Sequence, residues 1–173
     1  MAFLSPRQMV DSLYIKPSST ILDLGVGSGA YTYEVFRVNG KGGKVIAVDI
    51  DQSKLELVKG TAKIGGFDVE TMLANMESGI VLPDYSADYV VFANTMHQIE
   101  ESKREFVASE IYRVLVPRGE LLFVEWRSGS KFGPSQNLMI NEKEAESIFT
   151  KLGMKIKNKL EAGDYHYAYI IEK

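Results

Sequence analysis

Three glycines at alternate positions, Gly25, Gly27 and Gly29, lie between two aspartates that could each hold part of a nucleoside. Glycine has no Cβ, so such a loop lets backbone approach a ligand closely and adopts positive φ without strain. Asp23 precedes the loop, inside the apolar run Ile21-Leu22-Asp23-Leu24. Asp49 closes a second apolar run, Val45-Ile46-Ala47-Val48, and stands 24 residues beyond Gly25. A carboxylate there can accept hydrogen bonds from both hydroxyls of a ribose. It can also cap the helix expected from Ser53, although Asp51 suits that cap better.

The loop fits two registers. Gly25, Gly27 and Gly29 spell G-x-G-x-G, while Gly25, Gly27 and Ala30 satisfy the dinucleotide pattern G-x-G-x-x-A. Asp23 discriminates between them. A pyrophosphate seated on the following helix N-terminus would be repelled by this carboxylate, whereas a cationic amine would be attracted. S-adenosylmethionine carries such an amine, a sulfonium and no phosphate. The plainer alternative for Asp23 is a turn-capping acid.

These residues need a scaffold, and the chain alternates apolar runs with helical patterns. Strands are expected at 21–24, 44–48, 69–73, 87–93 and 120–126. Helices are expected at 5–13, 30–38, 53–64, 102–115 and 142–152. Val116-Pro117-Arg118-Gly119 reads as a turn. The near-continuous apolar strands imply a parallel sheet covered on both faces. The last two strands, 154–160 and 166–171, have no helix between them and imply an antiparallel hairpin. The expected fold is α/β: a single doubly wound Rossmann-like domain over residues 1–173, with a mostly parallel seven-stranded sheet and a C-terminal antiparallel hairpin. Gly129 to Gln136 is the expected mobile loop. Lys155, Lys157 and Lys159 suit a solvated edge strand better than a basic binding stripe.

Composition narrows the chemistry. The formal charge is −3 over 173 residues, which does not suggest general nucleic-acid binding. There is no cysteine, so disulfides, thiolate metal sites and cysteine nucleophiles are excluded. Two histidines, His97 and His166, are too few for an ordinary histidine-rich metal site, and no metal is expected. The N-terminal stretch Met1 to Arg7 lacks the long apolar run of a signal peptide, and no segment approaches membrane-spanning length. A cytoplasmic protein without membrane insertion is the expectation.

Taken together, Leu22-Asp23-Leu24-Gly25-Val26-Gly27-Ser28-Gly29 and Val45 to Asp51 resemble the first two motifs of class I S-adenosylmethionine-dependent methyltransferases. Leu73-Ala74-Asn75-Met76-Glu77 with Leu82-Pro83 resembles the third motif. Asp88 to His97 resembles the fourth, and Val114 to Leu122 is similar to the helix-to-strand turn after it. The resemblance covers essentially the whole chain and is nearest to the compact type 11 group, which includes quinone-biosynthesis C-methyltransferases. It implies S-adenosylmethionine as cofactor, with Asp23 and the Gly25 carbonyl near its amine and Asp49 at its ribose. Ile50 would pack on the adenine and the Met76 N–H would face an adenine ring nitrogen. Asn75, standing where an aspartate is usual, would accept from the adenine amino group. Asn94 would line the methionine end.

His97, three residues beyond Asn94, is the candidate catalytic base, since neutral imidazole accepts protons near pH 7. A helix-capping or packing histidine is the alternative. His166 and Glu125 are candidate substrate contacts, Glu125 also reading as a turn acid. Strand alternation would point His166 away from Tyr165 and Tyr167. Tyr31 could lie near the methionine chain or in the core. Asn94-Thr95-Met96 lacks the Pro-Pro-aromatic sequence of adenine amino-methyltransferases. The expected activity is in-line methyl transfer to a small molecule, with RNA or protein acceptors open and a homo-oligomer possible. The rivals are a non-catalytic S-adenosylmethionine-binding module, or one subunit of a larger methyltransferase assembly, and a nicotinamide oxidoreductase, which Asp23 and the terminal hairpin disfavour.

Overall fold

The structure, a computed structural model, describes residues 3–40 and 42–173. Met1 and Ala2, part of the N-terminal stretch read above, lie outside the described residues. Seven strands form one sheet: β1 (Thr20–Leu24), β2 (Lys44–Asp49), β3 (Glu70–Leu73), β4 (Ala87–Ala93), β5 (Leu115–Trp126), β6 (Lys155–Leu160) and β7 (His166–Glu172). Their order across the sheet is β3-β2-β1-β4-β5-β7-β6. The first five are parallel. β7 runs antiparallel to both neighbours and lies between β5 and β6. The terminal hairpin therefore joins the sheet through its second strand, leaving lysine-bearing β6 on the edge. Lys157 there pairs with Glu120 and Glu172, and Lys159 with Glu146.

Five α-helices cover the sheet: α1 (Pro6–Asp11), α2 (Ala30–Asn39), α3 (Gln52–Gly65), α4 (Glu101–Val114) and α5 (Glu142–Lys151). Because side chains alternate along a strand, each buried strand feeds two cores. On one face Val107, Ala108 and Ile111 of α4, with Ala145, Ile148 and Phe149 of α5, pack on Leu22, Leu24, Val90, Phe92, Leu121 and Phe123. On the other, Met9 and Val10 of α1 and Val35 and Phe36 of α2 pack on Ile21, Val45, Val91, Leu122 and Val124. Leu55 and Val58 of α3 close over Val26 and Ala47 on that side. Among the described residues no helix is long and apolar enough to cross a membrane.

The helix boundaries follow local chemistry. Ser5 caps α1 with Pro6 in its first turn, Asp51 caps α3 through Ser53 N–H at 2.8 Å, and Asn141 caps α5 through Glu144 N–H at 3.0 Å. β5 begins five residues before the expected Glu120. The turn expected at 116–119 survives as an irregularity inside the strand: Arg118 has φ +66, and the β4–β5 register shifts between Ala87 and Tyr89.

β1 is the switch point of the sheet, with β2 leading one way and β4 the other. The crevice beyond the carboxyl ends of strands at such a point is where open α/β sheets bind ligands.

Candidate active site

The glycine loop forms because β1 ends against β2: the N–H groups of Gly25 and Val26 both donate to the Val48 carbonyl, at 2.8 and 3.3 Å. The three glycines do different work. Gly25, at φ +73, lies against Thr95, whose Oγ1 would sit 2.4 Å from an added Cβ. Gly29, at φ +80, packs on Val58, 2.9 Å from an added Cβ. Gly27, at φ +50, has nothing nearer than 4.0 Å and leaves open space. Two glycines thus permit packing of the loop against the protein, and one presents bare backbone outward.

Asp49 ties the loop to the second strand. Its Oδ2 accepts from Gly27 N–H at 3.0 Å and its Oδ1 from Asp51 N–H at 2.9 Å. Each oxygen retains capacity for a further donor. Asp49 lines a cleft of about 460 Å³ together with Gly25, Gly27, Ile50, Asn75, Met76 and Thr95. That volume lies in the range of small-molecule sites, about 300–1,000 Å³. Ile50 is 68% exposed, an apolar side chain left uncovered on the cleft wall. Asn75 caps the 3-10 turn Met76–Ser78, its Oδ1 accepting from Glu77 N–H at 2.9 Å. The same oxygen retains one lone pair for a ligand donor.

Asp23, Gly29 and Asn94 do not line this open cleft. Asp23 lies on the α2 face of β1, only 2% exposed, and accepts from Thr32 Oγ1. Burial pushes its carboxyl up to about 7; the Thr32 hydrogen bond opposes the rise and the Asp49 charge adds to it. Tyr31 is half-buried beside it, its buried hydroxyl unpartnered and its phenol held above the ordinary range by burial and by the Asp23 charge. Asn94, at φ +53, has a buried Oδ1 without a donor. A desolvated carboxylate and two unpaired buried oxygens are costly as they stand, and a ligand bearing N–H donors and positive charge would satisfy them. The residues present therefore fit S-adenosylmethionine: an anionic acceptor for a ribose, bare backbone at Gly27, exposed apolar surface at Ile50, and a buried acid suited to an amine.

His97 lies in the 3-10 turn Met96–Gln98, between the cleft-lining Thr95 and Gln98. Its Nδ1 is 2.8 Å from Glu125 Oε1, and its backbone N–H donates to Glu125 Oε2 at 3.1 Å. Glu125 is 0% exposed and its Oε1 also accepts from Trp126 N–H at 2.7 Å. The expectation of a substrate contact at Glu125 gives way here: its carboxylate has no open surface and grips His97. His166 is on the opposite face of the sheet, since it opposes Trp126 while Glu125 opposes Tyr167. Its ring packs against Trp126, tilted by 39° with centroids 4.0 Å apart, and both ring nitrogens are buried without partners. Desolvation holds this imidazole below its ordinary value, against the pull of Glu125. Tyr165 packs with Phe3 and Phe132, at 6.1 and 5.0 Å between centroids. Gly133 approaches the Trp126 indole so closely that an added Cβ would lie 2.5 Å from it. The 129–136 loop is pinned by Gln136, which accepts from Gly129 N–H at 2.8 Å and donates to the Ser130 carbonyl at 2.9 Å.

Sequence reasoning assigned no site role to Thr32, Thr95 or Trp126. Only Thr32 carried a signal, as a small hydroxyl in the first turn of the helix that follows the loop. Among the described residues no group of three or more His, Cys, Asp or Glu side chains could hold a metal ion.

Residues 21–119 match a family model described as a methyltransferase domain. The ubiquinone/menaquinone biosynthesis C-methyltransferase of Escherichia fergusonii is 32% identical over 124 residues, covering 69% of this chain and 47% of its own length. The same enzyme of Salmonella arizonae gives the same identity and coverage. This chain thus spans about half the length of the curated relatives it matches. A SAM-dependent methyltransferase of Aquifex aeolicus superposes with a TM-score of 0.88 at 25% identity, covering 98% of this chain and 90% of that one. A SAM-dependent methyltransferase of Methanosarcina mazei shares the fold, with a TM-score of 0.78 at 20% identity and 99% coverage of both chains. The chain belongs to the class I S-adenosylmethionine-dependent methyltransferase family.

Proposed function

We propose that this chain transfers a methyl group from S-adenosylmethionine to a small-molecule acceptor, with residues 1–173 acting as one cofactor-binding unit. The observation that carries the reading is Asp49. One oxygen holds the glycine loop at Gly27, the other accepts from Asp51 N–H, and both retain acceptor capacity on the cleft wall, as a ribose diol requires. Ile50 would cover the adenine, the Met76 N–H would face one of its ring nitrogens and Asn75 Oδ1 would accept from its amino group. Gly25 and Gly27 would supply backbone beside the ribose and methionine, while Gly29 shapes the turn. Asp23 and Asn94 would take the amine end.

When bound, the cofactor supplies an electrophilic methyl group on a sulfonium that departs as a neutral thioether. What remains for the protein is alignment of nucleophile, methyl and sulfur, which can supply about 7–11 kcal/mol. His97 receives the proton of an acceptor that carries one, while His166, buried against Trp126 on the other face of the sheet, is left out of that contact. The small-molecule assignment follows the names of the curated relatives, which are biosynthetic enzymes.

Incubation with methyl-labelled S-adenosylmethionine and fractionated cell extract tests the proposal. Label in extractable small molecules is expected. Label confined to RNA or protein would overturn the acceptor class, and binding without transfer would overturn the catalytic reading.

A further inference from the structure

A carboxylate with no exposed surface is costly to keep ionised unless every lone pair finds a donor. Glu125 finds three: Trp126 N–H at 2.7 Å, the His97 ring at 2.8 Å and His97 N–H at 3.1 Å. If its task were only to hold the turn at Met96–Gln98, a neutral glutamine oxygen could accept the same backbone N–H. The second contact to the same residue needs another explanation.

We propose that Glu125 is a positioning residue: it fixes the ring of His97 with Nδ1–H toward the carboxylate, leaving the Nε2 lone pair to take a proton from the methyl acceptor. Both backbone groups on Glu125 can only donate, so the carboxylate is the acceptor in this cluster and Nδ1 must carry the hydrogen. Nε2 makes no hydrogen bond to the described protein, and about a tenth of the His97 side chain remains exposed. In water a neutral histidine prefers its proton on Nε2, so Glu125 reverses the ring's own preference. A ring flip would break the contact and leave Glu125 Oε1 with the Trp126 N–H alone.

The inference rests on the methyl-transfer reading and narrows its substrate class. The acceptor enters with a proton to lose, as a hydroxyl, an acidic C–H or an ammonium does. That proton passes to Nε2. The electron pair left on the acceptor forms the bond to the methyl carbon, and the pair of the broken carbon–sulfur bond stays on sulfur. Glu125 balances the imidazolium.

The chain has two histidines, so ¹⁵N-histidine labelling of the full chain yields two ring systems. His166→Asn identifies which belongs to His97. Long-range ¹H–¹⁵N spectra of the neutral ring are expected to show Nδ1 protonated and Nε2 imine-like. Glu125→Leu, which leaves no acceptor beside Nδ1, is expected to make the Nε2–H form the major one while S-adenosylmethionine binds within about threefold of wild type. A wild-type His97 protonated on Nε2, or an unchanged tautomer in Glu125→Leu, overturns the proposal. So does a folded Glu125→Leu chain that loses cofactor binding more than about tenfold. If that variant fails to fold, the wild-type spectrum alone decides. Failure of the wild-type chain to bind S-adenosylmethionine would instead defeat the functional reading and leave the tautomer result standing.

Discussion

Asp23 makes the stability of the free chain depend on pH in a way its exposed carboxylates do not. Burial lifts its carboxyl from the ordinary 3.8 to about 7. Between those values the folded chain holds a proton that the unfolded chain has released, so stability falls as pH rises through the window. At about 1.4 kcal/mol per pH unit the full effect is about 4 kcal/mol, of which about 3 kcal/mol falls between pH 5 and 8. His166 acts in the other direction. Its imidazole is held below 6.5, so the unfolded chain takes up the proton first as pH falls and stability drops on the acid side. Asp51, Glu110 and Glu146 are held low by hydrogen bonds to Ser53, Arg113 and Lys159, and titrate on the acid side of the window. Comparison with Asp23→Asn removes these shared contributions. Asparagine keeps an oxygen to accept from Thr32 Oγ1 but cannot ionise. Urea unfolding at pH 5, 6, 7 and 8 should show the variant gaining on wild type by about 3 kcal/mol across the series. A difference that stays constant from pH 5 to 8 would mean that Asp23 ionises at its ordinary value, and the argument from desolvation would fail.

Two further substitutions separate ligand contacts from packing. Asp49→Ala should weaken S-adenosylmethionine binding by about 1–3 kcal/mol, roughly 5- to 150-fold in Kd by calorimetry; unchanged affinity with a lowered melting temperature would reduce Asp49 to a loop tie. Tyr31→Phe removes a buried hydroxyl without a partner, so urea unfolding of the free chain should show it as stable as wild type or more so by about 1 kcal/mol, and a clear loss of stability would reveal a partner for that oxygen.

Much of this architecture could be read from local chemistry. Buried parallel strands announce themselves as short apolar runs, and Ser5, Asp51 and Asn141 mark helix starts through side-chain oxygens that need only their own neighbours. The insertion of β7 between β5 and β6 could not be read in the same way. Pairing of β7 with β6 is a local matter, whereas its register against β5, Trp126 opposite His166, joins residues far apart in the chain. The glycine loop was legible as a loop, but the division of labour within it depends on Thr95 and Val58, which arrive from elsewhere. Glu125 shows the limit most clearly. As an acid at a strand end it suggests contact with a ligand. Its partner His97 is 28 residues away, and only the closed sheet shows that the carboxylate is sealed and serves the histidine.

The central claim is that the cleft bounded by Gly27, Asp49 and Ile50 serves a nucleoside that carries an amine and no phosphate. Calorimetric titration of the wild-type chain with S-adenosylmethionine, S-adenosylhomocysteine and NAD tests it most directly. Saturable one-to-one binding of both sulfur nucleosides and no measurable heat from NAD are expected. Tight NAD binding with no response to either sulfur nucleoside would contradict it.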